Sequence, residues 1–264
     1  MRHRILLAIA GWLPFHQAGA QLPAPGYHPL QLDCARFRQE IRSVIELAGA
    51  RQRSRETTSR VGILTVRAAA RDSAIVLEAW FDSLSVWREG AGERLEPETD
   101  GVIGGRFRGT LSRSGIYTEA DRPFVPDDVA QVADVGDALG ELLPRLPTRS
   151  LARGTVWEDA SGTVITRLPD GRREGSVVQR YRLDHRSTRE ESRLLPDSSE
   201  VRAARRERET GVFEWSPELG PVRWERDITV EVDVPAGGPV RVPFRTRIDQ
   251  KVTIERVPGG CVAG

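Results

Sequence analysis

Val222-Arg223-Trp224-Glu225-Arg226-Asp227-Ile228-Thr229-Val230-Glu231-Val232-Asp233-Val234 is the stretch whose reading decides the fold. Its even positions are apolar apart from Arg226, and every odd position is polar or charged, which is the period-two pattern of a half-buried strand. Pro235-Ala236-Gly237-Gly238-Pro239 then punctuates the chain, and the alternation resumes with Val240, Val242, Phe244, Thr246, Ile248, Gln250, Val252 and Ile254 on one side. Two alternating runs joined by a Gly/Pro turn predict an antiparallel hairpin. At about 3.3 Å per residue the first arm alone spans roughly 43 Å. Strands of that length twist strongly, so the sheet is expected to curl.

Upstream, the same period recurs. Positions 37–47 alternate through Phe37, Ile41, Ile45 and Leu47 against Arg38, Glu40, Arg42 and Glu46. The runs 57–69 and 74–87 are richer in β-branched and aromatic residues, as suits strands covered on both faces. Gly105 to Arg113 adds a shorter alternating piece, and Gly104-Gly105 reads as a turn or bulge. Residues 197–210 admit two readings. Asp197-Ser198-Ser199-Glu200 has capping-box character, but Val201, Ala203 and Ala204 are too little apolar surface to hold a helix, and strand is favoured. One helix stands out: Pro126-Asp127-Asp128 opens it, Val125, Val129, Val132, Val135, Leu139, Leu142 and Leu143 recur at spacings of three and four, and Pro144 stops it. The expected class is α+β, mainly antiparallel β, with a long-stranded, half-barrel-like curled sheet packed on one amphipathic helix.

The chain has 264 residues with 39% hydrophobic content, enough for a sizeable core in one domain. Charges balance at 39 Lys+Arg against 38 Asp+Glu, so no global field draws the chain to nucleic acid. Lys251 is the only lysine, and Asn is absent, a skew that reads as genome composition. Residues 1–20 carry a positive start at Arg2, His3 and Arg4, a short apolar stretch, and Ala18-Gly19-Ala20 at the end. That pattern predicts a signal peptide cleaved before Gln21 and a periplasmic or secreted product. The apolar stretch is too short to span a bilayer and no second one follows, so an integral membrane protein is not expected. A Pro-rich lead-in, 21–33, precedes a single β-rich domain over 34–261. Cys34 lacks a lipobox, and in an oxidising compartment Cys34 and Cys261 suggest a disulfide.

Chemistry-bearing motifs are scarce. After cleavage only His28 and His185 remain, and no nucleophile elbow, zinc-binding helix, calcium loop or phosphate-binding glycine loop occurs. Ser112 and Ser114 have no distinguishing context. Asp127-Asp128 is explained by helix capping, and Glu158-Asp159 by a turn or strand end. Arg202, Arg205, Arg206 and Arg208 alternate with acids, as on a solvated strand face. No cofactor, metal or catalytic set is expected, and the chain reads as non-enzymatic.

The order of elements resembles the LolA/LolB type of periplasmic lipoprotein carrier, in which a long-stranded unclosed barrel lidded by helix holds an acyl chain. The resemblance rests on the signal peptide, the long hairpins and the 125–143 helix. The chain is also similar to uncharacterised secreted proteins in which such a helix ends in Leu143-Pro144-Arg145-Leu146-Pro147, followed by Gly154-Thr155-Val156-Trp157. What the resemblance implies is binding of an apolar or amphipathic, lipid-like ligand between sheet and helix. Candidate lining residues are Trp80, Trp157 and Trp224 from strands and Val129, Val132 and Leu139 from the helix. The alternative is an interaction module whose edge strand or Arg-rich face docks an envelope protein.

Overall fold

The computed structural model describes residues 24–49, 53–173, 175–194, 200–237 and 239–261; the expected signal peptide lies outside them. Two antiparallel meanders make one sheet. The first runs through β1 (Ala35–Gly49), β2 (Arg53–Arg71) and β3 (Ala74–Gly90), with β4 (Glu93–Leu95) on the far end of β3. The other end of β3 pairs with β5 (Phe107–Leu111), and β5 with β6 (Tyr117–Asp121). The second meander is β10 (Ser176–Leu194), β11 (Glu200–Ser216), β12 (Gly220–Val234) and β13 (Phe244–Val257). The short strands β7 (Val156–Glu158), β8 (Val164–Arg167) and β9 (Gly171–Arg173) finish its outer edge along β10.

The meanders meet where the chain ends meet. β1 pairs β13 antiparallel from Arg36 opposite Val257 to Gly49 opposite Phe244. Cys34 and Cys261 are disulfide-bonded at the closed end of this seam, with Cα atoms 4.9 Å apart. The result is an open 13-stranded sheet bounded by β6 and β7.

Alternation sets the two faces. On β1 the odd residues Phe37, Gln39, Ile41 and Ser43 are buried, and the even ones are not. Register carries that inner face across the sheet in rows. One row is Leu84, Gly62, Gln39, Ile254, Trp224, Phe213, Tyr181; the next is Val86, Arg60, Ile41, Val252, Arg226, Gly211, Leu183. Against these rows lies a lid, residues 97–106 and 122–151, with α2 (Asp127–Ala130) and α3 (Ala138–Leu142). A third short helix, α1 (Pro29–Leu32), closes the disulfide end, where Tyr27 packs edge-on to Trp215 at 4.9 Å.

The expected helix over 125–143 forms as two short pieces, not one. Its apolar residues Val129, Val132, Val135, Leu139, Leu142 and Leu143 are buried as the spacing predicts, but the backbone breaks between Gln131 and Asp137. The cause is competition for hydrogen bonds. Arg60 on β2 donates to the Asp134 carbonyl, the acceptor that an unbroken helix would offer to Ala138. Asp134 Oδ1 accepts from the Gly136 amide at 2.9 Å, and glycine there adds about 1 kcal/mol against helix. Residues 200–216 are strand, as favoured, because their long pairing with β10 and β12 outweighs the local capping signal. The second hairpin arm begins at Phe244; Val240 makes only an isolated bridge to Gly237, and Val242 is exposed.

Candidate functional site

Between sheet and lid the described side chains pack against one another. Phe37, Phe81, Phe107, Tyr181 and Phe213 join the lid residues in one buried cluster. Phe81 meets Phe107 edge-on at 5.8 Å, and Tyr181 stacks on Phe213 at 4.8 Å. Polar clamps then tie the lid to the inner face. Gln39 Nε2 donates to the Ala138 carbonyl at 2.8 Å, and Thr99 Oγ1 to the Leu84 carbonyl at 2.6 Å. Arg60, 2% exposed, also donates to the Glu141 carboxylate. Arg226, three positions along the same row, lies 4.1 Å over the Trp224 ring and reaches both Glu209 Oε1 and the Glu141 carbonyl at 3.4 Å. Gly211 leaves the room for that guanidinium: a Cβ there would stand 2.4 Å from the Glu225 carbonyl and 3.2 Å from Arg226 Cγ. Burial, with the carboxylates of Glu141, Asp134 and Glu119, pushes Asp137 above the usual carboxylate range despite Arg226.

The six residues expected to line a cavity stand in three surroundings. Val129, Val132, Leu139 and Trp224 are packed in the core under the lid. Trp157 packs against that core from the edge strand β7. Trp80 faces the opposite side of the sheet, with Arg106 Cζ 3.9 Å from its ring centroid. The register explains the division: Trp80 is opposite Thr65, which is opposite Arg36, a residue of the outer row.

That outer face, free of the lid, carries a cleft of about 500 Å³ at the seam between the meanders. Val44, Ser59, Val61, Thr229 and Thr253 contribute apolar and hydroxyl surface, while Glu40, Arg42, Asp227, Asp249 and Lys251 supply charge. Ser59, Arg42, Lys251 and Asp227 form one cross-strand row over β2, β1, β13 and β12. Asp249 is fully engaged. It accepts from Arg247 and, at 2.8 Å, from Thr229 Oγ1; the Arg247 bond, ahead of burial, holds it below the usual carboxylate range. Among the described residues Arg42, Lys251 and Asp227 have no ion-pair partner within 4.0 Å. Sequence reading missed this cleft because alternation tells which residues share a face, not which face stays uncovered. The one signal available was the sole lysine.

The remaining motifs find structural roles. His185 lies within β10 opposite Glu209, its Nδ1 3.2 Å from Thr163 Oγ1, and His28 caps α1. Ser112 and Ser114 touch each other at 3.0 Å, and Ser112 Oγ accepts from the Ile116 amide. Asp159 organises the β7–β8 turn by accepting from the amides of Ser161 and Thr163. Arg202, Arg205 and Arg206 pair with Glu200, Glu207 and Asp233. Among the described residues no group of three His, Cys, Asp or Glu can hold a metal ion, and no helix is long and apolar enough to cross a membrane.

No family model matches the chain, and no curated protein matches it. Among solved structures it is similar to a Bacteroides fragilis NCTC 9343 protein with a YmcC-like fold, at 10% identity over 80% of this chain and 93% of that one, with a TM-score of 0.21. It is also similar to a DUF1329 family protein from Desulfovibrio piger ATCC 29098, at 9% identity over 87% and 88% of the two chains, again with a TM-score of 0.21. Likenesses at that TM-score carry neither fold nor role to this chain.

Proposed function

We propose that this is an exported, non-enzymatic cell-envelope protein that binds an amphipathic, lipid-like ligand in the outer-face cleft. The disulfide Cys34–Cys261 supports an oxidising compartment such as the periplasm. One observation carries the site. A cleft of about 500 Å³ falls within the range of roughly 300–1,000 Å³ usual for small-molecule sites, and it joins apolar surface to unpaired charges of both signs. Energetics argue against the alternative space under the lid. Opening it strips Arg60 of both its lid partners and Arg226 of the Glu141 carbonyl, and breaking one buried ion pair costs about 3–5 kcal/mol.

Native mass spectrometry of the mature protein, purified from periplasm without detergent, tests this reading. A co-purifying mass released as lipid on activation is expected from wild type and lost from Val61→Arg, which drives a charge into the cleft. A clean apo-protein, or undiminished ligand in Val61→Arg, overturns it. A second reading, docking of an envelope protein, is favoured by one feature. Beyond Asp184 the outer edge of β10 has no strand partner among the described residues. Its Arg186, Arg189, Glu190 and Glu191 are exposed charges of the kind that guard an edge against indiscriminate pairing.

A further inference from the structure

Near the disulfide end of the outer face, Trp80 sits among arginines. Arg106 Cζ lies 3.9 Å and Arg67 Cζ 5.9 Å from the centroid of its ring. The ring is fixed from below: Trp80 Nε1 donates to Asp82 Oδ1 at 3.0 Å. Asp82 Oδ2 is consumed as well, by Arg36 Nε at 3.0 Å and Thr65 Oγ1 at 2.6 Å. Asp82 therefore orients the indole and is not free to neutralise the other two guanidiniums. Glu78, directly opposite Arg67 in register, is instead bonded to Arg108 at 3.2 Å, and Arg108 also reaches Asp121.

Neighbouring arginines on this face thus have carboxylates. Arg67 and Arg106 have none within 4.0 Å among the described residues, and both side chains are exposed. Their placement is built in. Arg67 is held in the β2–β3 ladder. Arg106 follows a turn whose Gly104, at φ +77°, donates its amide to the Phe81 carbonyl at 3.1 Å. Two unpaired guanidiniums beside an indole make a donor-rich, flat, amphipathic surface. Guanidinium forks match phosphate oxygens bidentately, and indoles favour the headgroup level of a bilayer.

We infer that Arg67, Trp80 and Arg106 form a docking site for the phosphate groups of an anionic bilayer surface. The site is separate from the cleft and does not depend on what the cleft binds.

Sedimentation of the mature protein with phosphatidylglycerol/phosphatidylcholine vesicles at physiological ionic strength tests it. With each basic side chain near an anionic surface worth about one kcal/mol, Arg67→Gln/Arg106→Gln is expected to lose about 30-fold in partitioning. Arg245→Gln/Arg247→Gln removes the same charge from paired arginines at the far end of the face and is expected to bind as wild type. All four arginines are exposed, so thermal unfolding should show each double variant folded. Equal loss in both double variants would mean general electrostatics and overturns the site. So does wild-type protein that ignores the vesicles, or that takes up inorganic phosphate through Arg67 and Arg106 without binding them.

Discussion

Removing the Glu141 carboxylate should loosen the lid. The side chain of Arg60 is 3% exposed and that of Glu141 21%, and they form an ion pair at the junction of β2 with α3. In Glu141→Ala the guanidinium keeps the Asp134 carbonyl but loses its only carboxylate among the described residues. Uncompensated buried charge costs about 3–5 kcal/mol. Since Glu141 is partly wetted and one acceptor survives, about 3 kcal/mol is expected. That is a large share of the roughly 5–15 kcal/mol that holds a domain together. Replacing both partners, Arg60→Met with Glu141→Leu, removes the charge problem and should return to within about 1 kcal/mol of wild type. Urea denaturation of Glu141→Ala beside wild type, Arg60→Met, Glu141→Leu and their double variant, followed by tryptophan fluorescence, gives both the loss and the double-mutant cycle. A loss below about 0.5 kcal/mol in Glu141→Ala, with no coupling to Arg60, would show that the clamp does not hold the lid and that the space beneath it opens readily.

Three further outcomes follow from the same geometry. Cys34→Ala/Cys261→Ala frees a loop with a sequence separation of 227, for which the chain-entropy estimate is about 5 kcal/mol; a urea-unfolding loss of about 3–5 kcal/mol is expected, and one under 1 would refute the loop-closure account. Gly211→Ala forces a methyl against the Glu225 carbonyl and the Arg226 stem, so it should destabilise by about 1–3 kcal/mol in the same assay; a neutral result would mean that the β11–β12 packing yields there. All three tyrosines resist ionisation. Burial pushes Tyr27 well above its ordinary value; burial, with Glu119 and Asp137, takes Tyr117 to about 12, and burial, partly offset by Arg167, takes Tyr181 to about 12. Because these values are raised by folding, the stabilisation is complete below about pH 10 and is lost as pH climbs toward 12. Ultraviolet titration should show tyrosinate only with alkaline unfolding, and early titration of two or more phenols would contradict the burial.

Much of the sheet was legible because period two is a local signal. β1 and β12 stand where the alternation of Phe37–Leu47 and Val222–Val234 puts them, β2 and β3 cover the β-branched and aromatic runs 57–69 and 74–87, and most of β13 follows the alternation resumed after Pro239. The helix over 125–143 differs from its expected length, though not in its buried face. Nothing local in 125–143 announces that Arg60, more than 70 positions upstream, takes the Asp134 carbonyl. Distance in sequence also hid the two proposed sites. Lys251 and Arg42 become neighbours only through the β1–β13 seam, and it is pairing with β2 that fixes the parity turning Trp80 away from the interior. The bulge between Ile63 and Leu64 shows why parity is not safely counted along one strand.

The most direct test of ligand binding on the open face uses Lys251, the only lysine in the chain and an exposed wall of the cleft. The rate of acylation of Lys251 by an amine-specific reagent would be measured by peptide mapping, with and without lysophosphatidylglycerol. Strong protection of Lys251 in wild type, abolished in Val61→Arg, is the expected result. Ligand uptake seen by native mass spectrometry with Lys251 labelled at an unchanged rate would contradict the account and return the ligand to the space beneath the lid.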